Sequence, residues 1–222
     1  MNTYIELEYF IFDNLWIING KIKCPLMRYF LSEIMSDQKY HGFIVGEKIE
    51  LLPCDPTKLT EYHKWSNNAI VRIYERDVFP ETPEERRKHI FPENRPDYPE
   101  EIFFDIWHKS DKKLIGAVGL HHISAIHRNA MIGLGIGDPN YWNLGIGCEA
   151  AKLIIDFGFA ELNLHKIKAG IFAPNLGSQQ CALKNGMHLE MTMRDDVFVN
   201  GIYHDAFFYA IFEEEWRKLR GI

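Results

Sequence analysis

The stretch that decides the fold is residues 133–150, with the sequence GLGIGDPNYWNLGIGCEA. It begins as an apolar strand, turns at Asp138-Pro139 and reaches a helix that Gly145 and Gly147 open. The first N–H groups of a helix lack intrahelical acceptors, and glycines let a pyrophosphate approach the backbone without a Cβ in the way. The stretch therefore predicts a phosphate-binding turn between a strand and a helix.

Two other interpretations of these glycines stay open at this point. They can simply shape a tight connection between strand and helix, because glycine turns are common. Gly145, Gly147 and Ala150 also match G-x-G-x-x-A, the dinucleotide fingerprint. That fingerprint requires a parallel strand directly before it and an acidic residue that ends the next strand. An antiparallel meander precedes the turn and the next strand runs into FAPN at 172–175, which disfavours NAD binding.

On both sides of this turn, the spacing of apolar residues predicts a domain that contains both helices and strands. Three antiparallel strands are expected at 102–108, 114–123 and 130–137. Helices are expected at 57–66, from 82 onward, at 147–163 and at 178–185, with a strand at 165–172 and a hairpin of 197–199 and 202–212. The predicted fold is α/β of the α+β type, a mixed and mainly antiparallel sheet flanked by helices.

The first 41 residues have a separate character and predict an extension. Asn19-Gly20 favours a small hairpin, and the apolar spacing after Pro25 favours an amphipathic helix. The pattern restarts at Gly42, so we expect residues 1–41 to be an N-terminal extension and 42–222 to be the main domain. A packed appendage is the simplest interpretation of the extension, and a dimer contact or a cover for the substrate is the alternative.

Composition restricts the classes of function. Apolar residues at 46% and charged residues at 25% are typical of a globular chain with a substantial core. The net charge of −6 disfavours a nucleic-acid partner and mildly favours a cationic or neutral substrate. No signal sequence or membrane-spanning run is apparent, so we expect a soluble, cytoplasmic protein without a membrane partner. The cysteines are far apart, which predicts neither a metal cage nor disulfides: Cys24, Cys54, Cys148 and Cys181.

Three ordered motifs resemble a known family. Residues 141–150, YWNLGIGCEA, match six of ten positions of the form Y-W-G-K-G-Y-G-T-E-A. Asn175-x-x-Ser178 precedes a helix that ends in Asn185-Gly186-Met187, and residues 201–205 match G-x-Y-x-D. These motifs are similar to those of the Gcn5-related N-acetyltransferases, the GNAT superfamily, in the branch of ribosomal-protein N-terminal acetyltransferases.

The resemblance implies that acetyl-CoA is the cosubstrate, without a metal. It would lie in a V-shaped opening between the strand that ends at Gly137 and the strand 166–172, with its pantetheine arm paired like an extra strand. A primary amine would attack the thioester directly, so no covalent enzyme intermediate is implied. The residues implied in cofactor binding are Leu134, Gly135, Ile136, Trp142, Asn143, Leu144, Gly145, Ile146, Gly147, Cys148, Asn175 and Ser178.

The sequence departs from the family pattern at two positions that matter for proton transfer. Met131 stands where relatives often carry a glutamate, and Ala182 stands where many carry a tyrosine. Three possibilities stay open: other residues move the protons, positioning suffices with water as the relay, or the domain binds CoA without catalysis. The candidate groups for proton transfer are His121, His122, Tyr203, His204 and Asp205. Because neighbouring strand residues point to opposite faces, we expect only one of the two histidines to face the opening.

Three functions follow as hypotheses. The first is an N-acetyltransferase acting on a primary amine of a small molecule, an amino sugar or a peptide N-terminus. The second is a catalytically weak CoA-binding or sensing module, motivated by Met131 and Ala182. The third is an interaction protein without CoA, whose glycine turn is only structural. A homodimer is possible under each of them.

Overall fold

The chain divides into two compact units, Met1–His41 and Gly42–Ile222. A computed structural model describes residues 17–18, 21–22, 42–75, 79–80, 82–90 and 99–222. In the first unit, strands β1 (Ile17–Ile18) and β2 (Lys21–Ile22) pair antiparallel on either side of the predicted Asn19-Gly20 turn. The amphipathic helix predicted after Pro25 lies outside the described residues.

The second unit is built on an eight-stranded sheet, in which β7 and β8 form the parallel pair and the other neighbours run antiparallel. Across the sheet, the strand order is β3-β4-β5-β6-β7-β8-β10-β9. The strands are β3 Ile44–Val45, β4 Ile49–Pro53, β5 Ile102–His108, β6 Lys113–Ser124, β7 Asn129–Ile136, β8 Lys166–Phe172, β9 His188–Val199 and β10 Ile202–Phe212. This confirms the predicted mixed, mainly antiparallel sheet.

Helices flank both faces of this sheet. They are α1 Leu59–Ser66, α2 Ala69–Glu75, α3 Pro83–Ile90, α4 Ile146–Ala160, α5 Leu176–Lys184 and α6 Glu213–Arg220. The sequence did not predict α2, because its segment AIVRIYE is rich in β-branched residues that disfavour helix. In the described part of the chain, no helix is both long enough and apolar enough to cross a membrane.

The two faces of the sheet differ in what they bury. A Cβ on Gly158 of α4 would stand 2.8 Å from Ile167 and 3.1 Å from Leu120, so α4 packs directly on the apolar face. Leu120, Ile154 and Ile167 are fully buried in this core. Up to the histidines, successive side chains of β6 point to alternate faces of the sheet. The residues directly before and after Leu120 in the sequence therefore belong to the other face, which α1 and α2 cover.

A buried polar contact fastens α1 to this second face. The Tyr62 hydroxyl donates to the Asp105 carboxylate, which also accepts the backbone N–H of Asp55 at 3.2 Å. Asp105 is only 3% exposed, and this burial raises its pKa to about 6. Trp65 of α1 lies against Gly137, where a Cβ would overlap the indole ring. The glycine therefore allows α1 to approach the end of β7.

Candidate active site

A cavity of about 680 Å³ lies where β7 and β8 separate. The two strands pair from Asn129↔Lys166 to Met131↔Lys168, and Leu134 and Ile136 lie beyond the last described pair. Its lining comes from α2, β7, the turn before α4, and α5: Val71, Tyr74, Glu75, Leu134, Gly135, Ile136, Tyr141, Trp142, Asn143, Gly145, Gly147, Cys148, Pro174, Asn175, Leu176, Gly177, Ser178, Gln180, Cys181 and Lys184. The predicted cofactor residues thus converge on one cavity, with Leu144 and Ile146 outside its lining.

The two exceptions have simple structural reasons. The Leu144 side chain is 52% exposed, and its carbonyl accepts the ammonium of Lys48 at 3.1 Å. The Ile146 side chain is 1% exposed and belongs to the core under α4. Neither residue is in the lining of the cavity, so we expect them to contribute to ligand binding through the backbone of the turn.

The start of α4 has the geometry of an anion site. Asn143 and Gly145 adopt left-handed conformations, with φ of 61° and 81°, and α4 begins at the next residue. No side chain caps its first N–H groups. A Cβ on Gly145 would meet no atom within 4 Å, so the backbone there is open to a ligand. Free N–H groups, the helix dipole and this open approach suit a pyrophosphate.

Polar side chains hold this turn in place. The Glu149 carboxylate accepts the Lys48 backbone N–H at 2.9 Å, which ties the β3–β4 connection to the first turn of α4. The Asn185 side-chain amide donates to the carbonyls of Cys148 at 3.1 Å and Cys181 at 3.0 Å, so the end of α5 is joined to the start of α4. Lys184, the residue before Asn185, lines the cavity and brings a cation to it.

The edge of β7 presents backbone groups to the opening. Gly137 donates its N–H to the Ile115 carbonyl at 2.9 Å, so Gly137 directs its backbone groups toward β6. In an antiparallel ladder the alternate residues, here Leu134 and Ile136, direct their N–H and C=O groups the other way. The Trp142 indole N–H donates to the Ile136 carbonyl at 2.7 Å. A pantetheine arm could therefore form hydrogen bonds with the N–H and C=O groups of Leu134 and with the N–H of Ile136.

Asn175 has a structural role in addition to its predicted contact. Its side-chain oxygen accepts the Ser178 N–H at 3.1 Å and caps the start of α5. Only its amide nitrogen is therefore left as a donor toward the cavity, which both residues line.

The prediction that His121 and His122 lie on opposite faces is wrong. His122 has a left-handed φ of 51°, and the β6–β7 register shifts between His121 and Ser124. This bulge breaks the alternation of the strand, so the two imidazoles meet with their Nδ1 atoms 2.6 Å apart. Burial, and then the neighbouring His122, lower the pKa of His121, which favours its neutral ring.

His121 and His122 are brought together, but the cavity lining does not include them or Tyr203. Tyr203 is 62% exposed and packs on Phe198, with ring centroids 5.0 Å apart. It precedes Ala206, the first β10 residue that pairs with β8. Tyr203 therefore lies on the free part of the terminal hairpin.

The positions that depart from the family pattern offer no substitute group of their own. Ala182 is 5% exposed and lies in the core. Cys148 and Cys181 line the cavity, but burial and the nearby Cys148 raise the pKa of the Cys181 thiol well above its ordinary range. Cys181 thus stays a protonated thiol and is a poor nucleophile.

The sequence did not single out Tyr74, Glu75, Gln180 or Lys184, which also line the cavity. Tyr74 and Glu75 belong to α2, the helix that the local pattern did not predict. No local signal in the sequence would have linked them to the glycine turn, because their proximity depends on the packing of α2 over β7.

Comparison with known proteins gives consistent results. The acetyltransferase (GNAT) domain model matches residues 48–188. The Bacillus subtilis protein named Probable N-acetyltransferase YjcK is 39% identical over 132 residues, which is 59% of this chain and 72% of that protein. Spermidine N(1)-acetyltransferase of Escherichia coli K12 is 28% identical over 175 residues, 77% of this chain and 89% of that enzyme. The crystal structure of spermidine N-acetyltransferase from Vibrio cholerae in complex with CoA and spermine superposes with a TM-score of 0.67 and 26% identity, covering 77% of this chain and 99% of that one.

Proposed function

Because this chain belongs to the GNAT acetyltransferase family and is an acetyl-CoA-dependent N-acetyltransferase, we propose that its acceptor is a primary amine of a small molecule, an amino sugar or a peptide N-terminus. The observation that carries the proposal is the opening between β7 and β8, which connects a strand edge to the glycine-rich start of α4. The CoA and spermine complex of the Vibrio cholerae relative supports a small cationic amine among these acceptors.

The residues of the cavity suit the cofactor. The open Gly145 and the uncapped first turn of α4 would hold the pyrophosphate, with Lys184 as a nearby cation. The free groups of Leu134 and Ile136 would hold the pantetheine arm, and the Asn175 amide would add a donor. These contacts fix the cofactor along β7.

The transfer needs little more than alignment and one proton acceptor. Acetyl-CoA supplies the acetyl group: the amine nitrogen bonds to the carbonyl carbon, the C–S bond breaks, and the sulfur leaves as the CoA thiol. From an ammonium form, the acceptor loses two protons; one ends on the thiol and one is released. Holding amine and thioester in line accounts for much of the acceleration.

We assign the proton acceptor to His121. Its lowered pKa favours the neutral ring, and a Cβ on Gly133 of β7 would stand 3.4 Å from its Cδ2 atom, so the imidazole lies beside the strand that bounds the cavity. His122 contacts Nδ1 of His121 and would fix its tautomer. Tyr203 stays a prediction, since its side chain is exposed and packs on Phe198.

A second candidate is a CoA-binding module with weak catalysis. The thioether of Met131 and the methyl group of Ala182 favour it, because neither can exchange a proton. In that case acetyl-CoA would stabilise the protein without measurable transfer to any amine.

Two measurements test the proposal. Acetyl-CoA at a hundred times its dissociation constant should add about 2.7 kcal/mol to the free energy of unfolding. Thiol release should then appear with at least one member of a panel of peptides, polyamines, aminoglycosides and nucleotide amino sugars. Stabilisation without thiol release would favour the second candidate, and no stabilisation would reject a cofactor site.

The other expectations concern the extension, assembly and location. We propose that residues 1–41 form a separate appendage and that the protein assembles as a homodimer. Sedimentation of the full chain and of a chain that begins at Gly42 would test both. A cytoplasmic location stays a prediction.

A further inference from the structure

Two cysteines that are far apart in the sequence meet in the fold. Cys148 is in the first turn of α4, Cys181 is on α5, and both line the cavity as free thiols. The Asn185 side-chain amide holds the two residues together, because it donates to the Cys148 carbonyl at 3.1 Å and to the Cys181 carbonyl at 3.0 Å. The side chains of the two cysteines also form a hydrogen bond with each other. The two sulfur atoms are therefore direct neighbours at the start of α4.

This arrangement suits a disulfide. A disulfide brings two sulfur atoms to about 2 Å from each other, and a hydrogen bond between the thiols already directs them toward one another. Cys148 is half-buried and Cys181 is buried, so an oxidant that enters the cavity reaches Cys148 first. Burial, and then the neighbouring Cys148, raise the pKa of the Cys181 thiol. Cys181 therefore stays protonated and is suited to react second.

We infer that Cys148 and Cys181 form a reversible disulfide with hydrogen peroxide as the oxidant, and that this bond closes the acetyl-CoA site; the closure rests on the proposed function. The Cys148 sulfur attacks one peroxide oxygen, the O–O bond breaks, and Cys148 becomes a sulfenic acid while its proton leaves with the other oxygen as water. The Cys181 sulfur then attacks the Cys148 sulfur, the S–O bond breaks, and the hydroxide leaves with the Cys181 proton as a second water. Both cysteines are oxidised and the peroxide is reduced.

The disulfide would disturb the turn that is proposed to hold the pyrophosphate. Cys148 is the third residue of α4, and its N–H is one of the first N–H groups of the helix, which lack intrahelical acceptors. The turn before it depends on the left-handed conformations of Asn143 and Gly145. Pulling Cys148 toward α5 displaces these backbone groups from the ligand. Bound acetyl-CoA in turn covers Cys148, so the cofactor should slow the oxidation.

The test is oxidation of the full chain with hydrogen peroxide, followed by peptide mapping without reduction and by calorimetric titration with acetyl-CoA. The wild type should yield one peptide pair linked through Cys148 and Cys181, and its affinity for acetyl-CoA should fall about tenfold or more. Dithiothreitol should restore the affinity, which separates a disulfide from cysteine sulfinic acid and methionine sulfoxide. Saturation with acetyl-CoA before the oxidation should slow the formation of the linked pair.

Two variants assign the effect to this pair of thiols. Cys181→Ser cannot form the bond, so peroxide should change its affinity for acetyl-CoA by less than about twofold relative to its own reduced form. Cys181→Ala takes its place, with the same expectation, if the serine variant does not fold. Cys54→Ser is the matched control, because Cys54 is not in the lining of the cavity, and it should respond to peroxide as the wild type does.

The outcomes separate this inference from the proposed function. Absence of the linked pair in oxidised wild type would overturn the inference, and so would a linked wild type that binds acetyl-CoA as tightly as the reduced protein. An equal loss of affinity in oxidised Cys181→Ser would assign the effect to Cys148 alone and would also overturn it. Failure of the reduced wild type to bind acetyl-CoA would instead reject the proposed function, while the peptide map still reports whether the disulfide forms.

Discussion

The phosphate turn, residues 142–148, and the acceptor face, which is the face of β7 against which His121 lies, are built in different ways. The turn uses backbone N–H groups over residues 142–148, adjacent along the chain, and needs glycine for its conformation. The acceptor face uses side chains that come from distant parts of the chain, such as His121 of β6, which lies against Gly133 of β7. A site formed by the backbone of adjacent residues can be predicted from a sequence motif. A site formed by side chains from distant segments cannot, because it depends on how those segments pack.

The largest effect is expected from Gly145→Val, which tests whether the turn works through its backbone. A branched residue is strained at a φ of 81° and would fill the open approach to α4, so the affinity for acetyl-CoA should fall about 100-fold or more. Titration calorimetry measures this affinity. Gly201→Val is the matched control, since Gly201 has a φ of 83° and also has no atom within 4 Å of an added Cβ. Similar affinity in both folded variants would remove the phosphate-turn assignment.

His121→Ala tests the acceptor face in the opposite way. Its turnover of the best amine should drop about 10²-fold while the affinity for acetyl-CoA hardly changes, because proton transfer is lost and binding is kept. In the wild type the rate should fall as the pH drops through the lowered pKa of His121, since the protonated ring accepts nothing. His127→Ala, in the exposed β6–β7 turn, is the control. Unchanged turnover in His121→Ala would indicate that solvent takes the proton.

Asp105→Asn examines the support beneath the acceptor face. The carboxyl pKa is raised from 3.8 to about 6, so folding favours the protonated form. The stabilising contribution is full below pH 3.8 and is lost as the pH rises through about 6. The wild type should therefore lose on the order of 2 kcal/mol more stability than Asp105→Asn between pH 4 and pH 7. Urea unfolding at both pH values checks this, and equal losses would contradict the raised pKa of Asp105.

The smallest effect is expected from Asn175, which caps α5 and lines the cavity. Asn175→Ala removes the cap of α5, which should lower the free energy of unfolding by about 1 kcal/mol. It also removes one hydrogen-bond donor to the cofactor, which should weaken binding by about 0.5–1.5 kcal/mol. Asn175→Ser can still cap the helix but lacks the amide, so it should lose cofactor affinity with little loss of stability. Thermal unfolding with and without acetyl-CoA separates the two effects. A serine variant that binds like the wild type would leave Asn175 with only the capping role.

The same contrast explains what the sequence could predict. The strand, the turn at Asp138 and the helix after Gly145 depend on neighbouring residues, and the structure has them in that order. The opposite-face assignment of the histidines is wrong because the bulge at His122 comes from strand pairing and leaves no local signal. The cavity residues Tyr74 and Glu75 were missed because three of the seven residues of α2 are β-branched, which disfavours helix in the local pattern.

The central claim is that the glycine turn before α4 binds the pyrophosphate of acetyl-CoA. The most direct test is calorimetric titration of the wild-type protein with acetyl-CoA and with acetyl-pantetheine, which keeps the thioester arm and lacks the nucleotide and the pyrophosphate. Anion binding at the helix start predicts one site for acetyl-CoA and an affinity for acetyl-pantetheine that is weaker by about 100-fold or more. Equal affinities for the two ligands would contradict the claim.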